Sequence, residues 1–68
     1  MQIVLNGETR TVESDTRLEQ VVEQLSLPSK RIAVELNGSV VRRVEWPETP
    51  VSEGDKIEVV HFVGGGTS

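Results

Sequence analysis

The fold class this sequence predicts is α+β: one main helix packed on one face of a mixed sheet of four to five strands. Three observations predict it. Two Asn-Gly pairs, Asn6-Gly7 and Asn37-Gly38, each sit between β-prone runs. Leu18, Val21, Val22 and Leu25 form a single apolar stripe at helical spacing. The chain closes on an apolar run, Ile57-Glu58-Val59-Val60-His61-Phe62-Val63, followed by Gly64, Gly65 and Gly66 and then Thr67 and Ser68. With 68 residues the chain has room for one domain.

Each element has a local cause. Gln2 to Leu5 is β-prone and meets Asn6-Gly7, a pair suited to a type I′ hairpin, and Glu8 to Val12 returns as the second strand. Ser14, Asp15 and Thr16 all offer a helix N-cap; with Thr16 as cap, Glu19 completes a capping box. The helix is expected to stop near Ser26, because Pro28 disfavours helical geometry at Leu27. Ile32, Val34 and Leu36 alternate with Ala33 and Glu35 as a third strand, and Ser39 to Arg42 returns as a short fourth. From Val44 to Thr49 the period is lost, and Trp46-Pro47 suggests a turn or one 3₁₀ segment. Glu53-Gly54-Asp55 turns the chain into a last strand, Lys56 to Val63.

The right-handed crossover rule puts the third strand beside the opening hairpin, past the helix. The last strand, being the longest and most apolar, is expected beside the first at the sheet centre. That order describes a β-grasp, or ubiquitin-like, fold: residues 1–63 form the domain and 64–68 a flexible glycine-rich tail.

The last strand has two faces. If Ile57 and Val59 meet the helix, Val60 and Phe62 lie on the open face close to the tail, as candidates for partner docking. The competing arrangement lays the Val44–Val51 loop, with Trp46, over that face. His61 is the single histidine, and no nucleophile or carboxylate is placed in sequence to form a relay with it, so it reads as a strand residue. Glu19 and Glu23 share a helix face, and they read with Glu13 and Asp15 as solvated charge; no metal site is expected.

Composition narrows the function classes. There is no cysteine, which excludes disulfides, thiolate metal sites and cysteine nucleophiles. Net charge is −4, from eleven acidic and seven basic residues, and the strongest basic cluster in sequence is Arg42-Arg43. With Trp46 and Phe62 as the sole aromatics, neither phosphate-backbone binding nor base stacking is expected. The start, Met1 to Gly7, has no basic n-region, and no apolar run approaches the roughly 20 residues that span a bilayer. A cytoplasmic protein, monomeric when free, with no membrane partner, is expected. A bare glycine end is thin enough to enter a narrow channel and present a carboxyl group there, which makes the chain end the candidate reactive group. The competing reading is an inert flexible end.

Two stretches carry a family resemblance. The opening Ile3-Val4-Leu5-Asn6-Gly7 and above all the closing Gly54-Asp55-Lys56-Ile57-Glu58-Val59-Val60-His61-Phe62-Val63-Gly64-Gly65-Gly66 resemble the ThiS sulfur carriers of bacterial thiamine biosynthesis; Asn37-Gly38-Ser39-Val40-Val41 is similar to their middle segment. The resemblance implies a carrier rather than an enzyme, with no catalytic side chain and no bound cofactor. The terminal glycine, Gly66 here, would be adenylated by an E1-like, ThiF-like adenylyltransferase that uses ATP. It would then become a thiocarboxylate, with sulfur from a cysteine desulfurase or another donor, and deliver that sulfur to a ThiG-like thiazole synthase. Gly64 and Gly65 would form the slender tail. Thr67 and Ser68 depart from the pattern, since they leave Gly66 in a peptide bond. They are a cloning remnant, an extension trimmed by a peptidase, or the mark of a copy that needs processing before charging; a mature end at Gly65 also stays open. The small subunit of molybdopterin synthase, or another β-grasp sulfur carrier or protein modifier, is the alternative within the same fold.

Overall fold

A computed structural model describes residues 1–27 and 29–61. The strands are β1 (Gln2–Leu5), β2 (Glu8–Thr11), β3 (Ile32–Leu36), β4 (Ser39–Val41) and β5 (Lys56–His61), with α1 (Leu18–Glu23) between β2 and β3. Two 3₁₀ segments, Ser29–Arg31 and Arg43–Glu48, precede β3 and follow β4. The strands form one sheet in the order β2-β1-β5-β3-β4. β5 runs parallel to β1 and antiparallel to β3; both outer hairpins are antiparallel.

The hairpin turns follow from the sequence. Asn6 and Gly7 have φ of 50° and 84°, Asn37 and Gly38 of 53° and 87°, so both central residues are left-handed, as a type I′ turn requires. The last strand does lie beside the first, at the sheet centre. The third strand is one place further from the hairpin than the crossover rule alone suggests, because β5 inserts between β1 and β3. A chain that returns late still takes the central slot when it carries the most apolar run.

The helix start differs from the expected box. Arg17, extended at φ −100° and ψ 160°, is the N-cap, and its N–H donates to Gln20 Oε1 at 2.7 Å. Thr16 is buried instead, and its carbonyl accepts from Val51 N–H at 3.1 Å, while Leu18 N–H donates to the Thr49 carbonyl at 2.8 Å. The loop backbone thus satisfies a helix-end amide that a Thr16 hydroxyl would otherwise serve. After Glu23 the turn tightens: Leu25 N–H reaches Val22 O and Ser26 N–H reaches Glu23 O, at 3.0 and 3.2 Å. Ser26 then takes a φ of 57° and ends the helical path where Pro28 predicted it.

Ile3, Leu5, Leu18, Val21, Val34 and Ile57 are fully buried between sheet and helix. Trp46 and Val51 join this same core, and the Trp46 indole N–H donates to the Val41 carbonyl at 3.0 Å. The Arg43–Val51 stretch therefore closes the helix side of the sheet. The alternative in which that loop covers the opposite face does not hold, since Trp46 is buried in the core cluster on the helix side and cannot also reach it.

Candidate functional site at the exit of the last strand

β5 is the last element before the glycines in sequence, so what holds β5 fixes His61, the last described residue ahead of them. Its start is held on both sides. Val4 N–H donates to Asp55 O at 2.9 Å and Asn6 N–H to Ile57 O at 2.8 Å. On the other flank Asn37 N–H donates to Lys56 O at 2.7 Å, and Lys56 N–H returns to Asn37 Oδ1 at 2.9 Å. Asn37 Nδ2 also donates to Asp55 Oδ1 at 3.0 Å, while Asp55 Oδ2 accepts from Ser52 N–H at 2.7 Å. Asp55 N–H closes the turn onto Ser52 O at 3.0 Å, with Gly54 at φ 84° in the third place, the left-handed position of a type II turn.

β1 ends at Leu5, but β5 continues to His61. Asn6 Oδ1 takes over where β1 stops and accepts from Val59 N–H at 2.7 Å. Beyond that point β5 keeps only its β3 neighbour, down to the Ile32–His61 pair. The strand thus leaves the domain progressively released from its β1 side.

Alternation sets the faces. Ile57 is fully buried and Val59 packs on the core, whereas Val60 on the other face is 53% exposed. Val60 pairs with Ala33, and Val40, 69% exposed, stands one strand further out opposite Glu35. Glu35 in turn faces Glu58 across β3 and β5. His61 lies in register with Ile32 and is exposed. Phe62, the other docking candidate, and Gly64, Gly65 and Gly66 lie outside the described residues.

Two clefts flank the helix. One is lined by Glu19, Val22, Glu23, Leu27, Arg43 and Trp46; Glu19 and Glu23 do share a face, as the helical spacing requires. The other is formed around the N-terminus by Thr11, Glu13, Asp15, Gln20 and Gln24 among others. Among the described residues no group of three or more histidine, cysteine, aspartate or glutamate side chains is placed to hold a metal. No helix among them is long and apolar enough to cross a membrane.

Sequence reasoning treated Asn6, Asn37 and Asp55 as turn formers and missed that their side chains fasten β5. The available signal was the choice of Asn rather than Asp in both turns, since an amide both accepts and donates.

A five-stranded mixed sheet of this order, gripping one short helix, is a β-grasp domain with its last strand at the centre. Comparison with known proteins narrows the class. The chain belongs to the ThiS family, whose family model matches residues 3–66. It is 40% identical to the sulfur carrier protein ThiS of Thermus thermophilus, over 91% of this chain and 95% of that one. It is also 44% identical to a thiazole synthase of Magnetococcus marinus, over 97% of this chain and 20% of that protein. Indeed the chain spans only about a fifth of the length of the thiazole synthases it matches. Among solved structures, the thiamine biosynthesis protein ThiS of Geobacter metallireducens superposes with a TM-score of 0.83 at 32% identity, covering 97% of this chain and all of that one.

Proposed function

We propose that this protein is a sulfur carrier of thiamine biosynthesis and that its reactive group is the carboxylate of Gly66. The observation that carries the reading is the extent of the family match: it runs from β1 through the whole fold and ends on the third glycine, at residue 66. Further support comes from β5, whose central place and side-chain fastenings give those glycines a rigid base.

The chemistry follows from what a carboxylate lacks. It is a poor electrophile until a leaving group is attached. An E1-like adenylyltransferase supplies ATP, the Gly66 carboxylate oxygen attacks the α-phosphate, and pyrophosphate departs. A desulfurase takes sulfur from cysteine as a persulfide, whose outer sulfur attacks the acyl carbon and expels AMP; a thiol reductant then supplies two electrons to cleave the acyl disulfide, leaving a thiocarboxylate. Gly64 and Gly65 serve by having no Cβ, which keeps the chain narrow in a channel that must hold the reacting atoms at attack distance. The carrier provides no acid, base or metal ligand, so it acts as a protein substrate rather than an enzyme. Val60, and Phe62 further along the chain, belong to the surface that meets the partners.

The thiocarboxylate passes its sulfur to a thiazole synthase. Matches in which a segment like this chain forms part of a thiazole synthase favour that acceptor over a molybdopterin precursor. Activation requires a free Gly66 carboxylate, so a chain that carries Thr67 and Ser68 is charged only once the bond to Thr67 is hydrolysed. The test is intact mass of the chain ending at Gly66 after incubation with an E1-like enzyme, ATP and a sulfur source. A gain of one sulfur for one oxygen is expected. An unchanged mass, with the enzyme active on its own carrier, would refute the reading.

A further inference from the structure

Four of the seven basic residues gather where β5 leaves the domain. In sequence they are two separated pairs, Lys30-Arg31 and Arg42-Arg43. The sheet register brings the pairs to one end. Lys30 and Arg31 close the 3₁₀ segment that runs straight into Ile32, and Ile32 is the partner of His61, the last described residue of β5. Arg42 and Arg43 follow Val41, whose partner Val34 lies two residues into the same strand, so the fourth strand ends at the same edge. All four are exposed. Among the described residues the one ion pair is Arg10 with Glu8, on the far hairpin, so none of the four is held by a carboxylate. Glu19 and Glu23 share a cleft with Arg43 without coming within ion-pair distance.

A chain of net charge −4 that sets four of its seven cations, none of them ion-paired among the described residues, at the His61 end of the sheet has an uneven charge distribution, with that end the most basic. From this we infer that the four cations form a collar that docks on an acidic protein rim around the mouth of the activating enzyme's channel. The inference rests on the proposed activation of Gly66. Reach decides what the collar touches. Gly66 lies five residues beyond His61, at most about 18 Å of extended chain at ~3.3–3.6 Å each. With the chain end at the nucleotide, the collar stands at the channel mouth rather than at the phosphates, so its counter-charges belong to protein. Nucleic acid is the less favoured occupant: the rest of the chain is acidic, and Trp46, three residues beyond Arg43, is buried and cannot stack on a base.

The test measures association of the full chain with its E1-like enzyme at low and high salt. Arg42→Glu/Arg43→Glu is expected to slow association at least about tenfold at low salt and to flatten the salt dependence. Lys30→Glu/Arg31→Glu, which leaves the Trp46 cleft intact, is expected to do the same. Arg10→Glu/Arg17→Glu changes net charge equally at the other side of the molecule and is expected to have a several-fold smaller effect. Far-ultraviolet circular dichroism establishes that each variant is folded. If wild type fails to bind the enzyme, the activation reading falls, and the collar with it. If wild type binds and both collar variants bind at the same rate and salt dependence, the collar alone is overturned. Micromolar or tighter binding of the wild type to a DNA duplex or single-stranded RNA at physiological salt, lost in the collar variants, would also overturn it.

Discussion

The two faces of the sheet divide the work of this small domain. On the helix side Ile57, Val34, Ile3 and Leu5 are at most 2% exposed, and helix and loop close over them. On the other side Val60 and Val40 stand half-exposed or more, and Glu35 faces Glu58. A short chain has one core to build, so its apolar residues concentrate on one face. Valines left on the other face do little for folding and are available for contact. The comparison teaches that burial and exposure are separated by the alternation of a single strand: Ile57 and Val59 one way, Val60 the other.

Substitutions break or sharpen that contrast. The largest effect is expected on the covered face. Ile57→Ala removes fully buried side-chain atoms from the central strand and should cost about 2–5 kcal/mol in urea unfolding. For so small a domain that consumes much of the margin. Trp46→Phe keeps most of the apolar bulk but strands the Val41 carbonyl, and a loss of about 1–3 kcal/mol by thermal or chemical melting is expected. On the open face the sign changes. Glu58→Gln relieves two like charges set directly opposite each other and should raise stability by about 0.2–1 kcal/mol. The smallest stability change is expected for Val60→Ser, within about 0.5 kcal/mol. That variant should nevertheless weaken binding to the activating enzyme several-fold in titration calorimetry. A stable Val60→Ser that binds as wild type would remove this valine from the docking surface.

Much of this fold was legible along the chain because its causes are local. Asn-Gly turns, the Leu18-Val21-Val22-Leu25 stripe and the alternation of Ile32 to Leu36 each depend on neighbours within a few residues. What was illegible depends on distant backbone. The helix start is set by Thr49 and Val51, some thirty residues on, and a Thr16 capping box has no way to register their approach. The link from Asn6 to Val59 spans 53 positions. The basic collar exists only once the register of β3 against β4 and β5 is known. The glycine end is the reverse case: its proposed role rests on composition, on three residues without side chains that lie outside the described residues.

The most direct test of the account replaces one functional group. A chain ending in Gly66 carboxamide is compared with the same chain ending in the free acid, and ATP–pyrophosphate exchange by the E1-like enzyme is measured beside binding. The account predicts that exchange vanishes in the amide while affinity changes little, because the folded body is the handle and the terminal oxygen the nucleophile. Exchange of equal rate from the amide would contradict it.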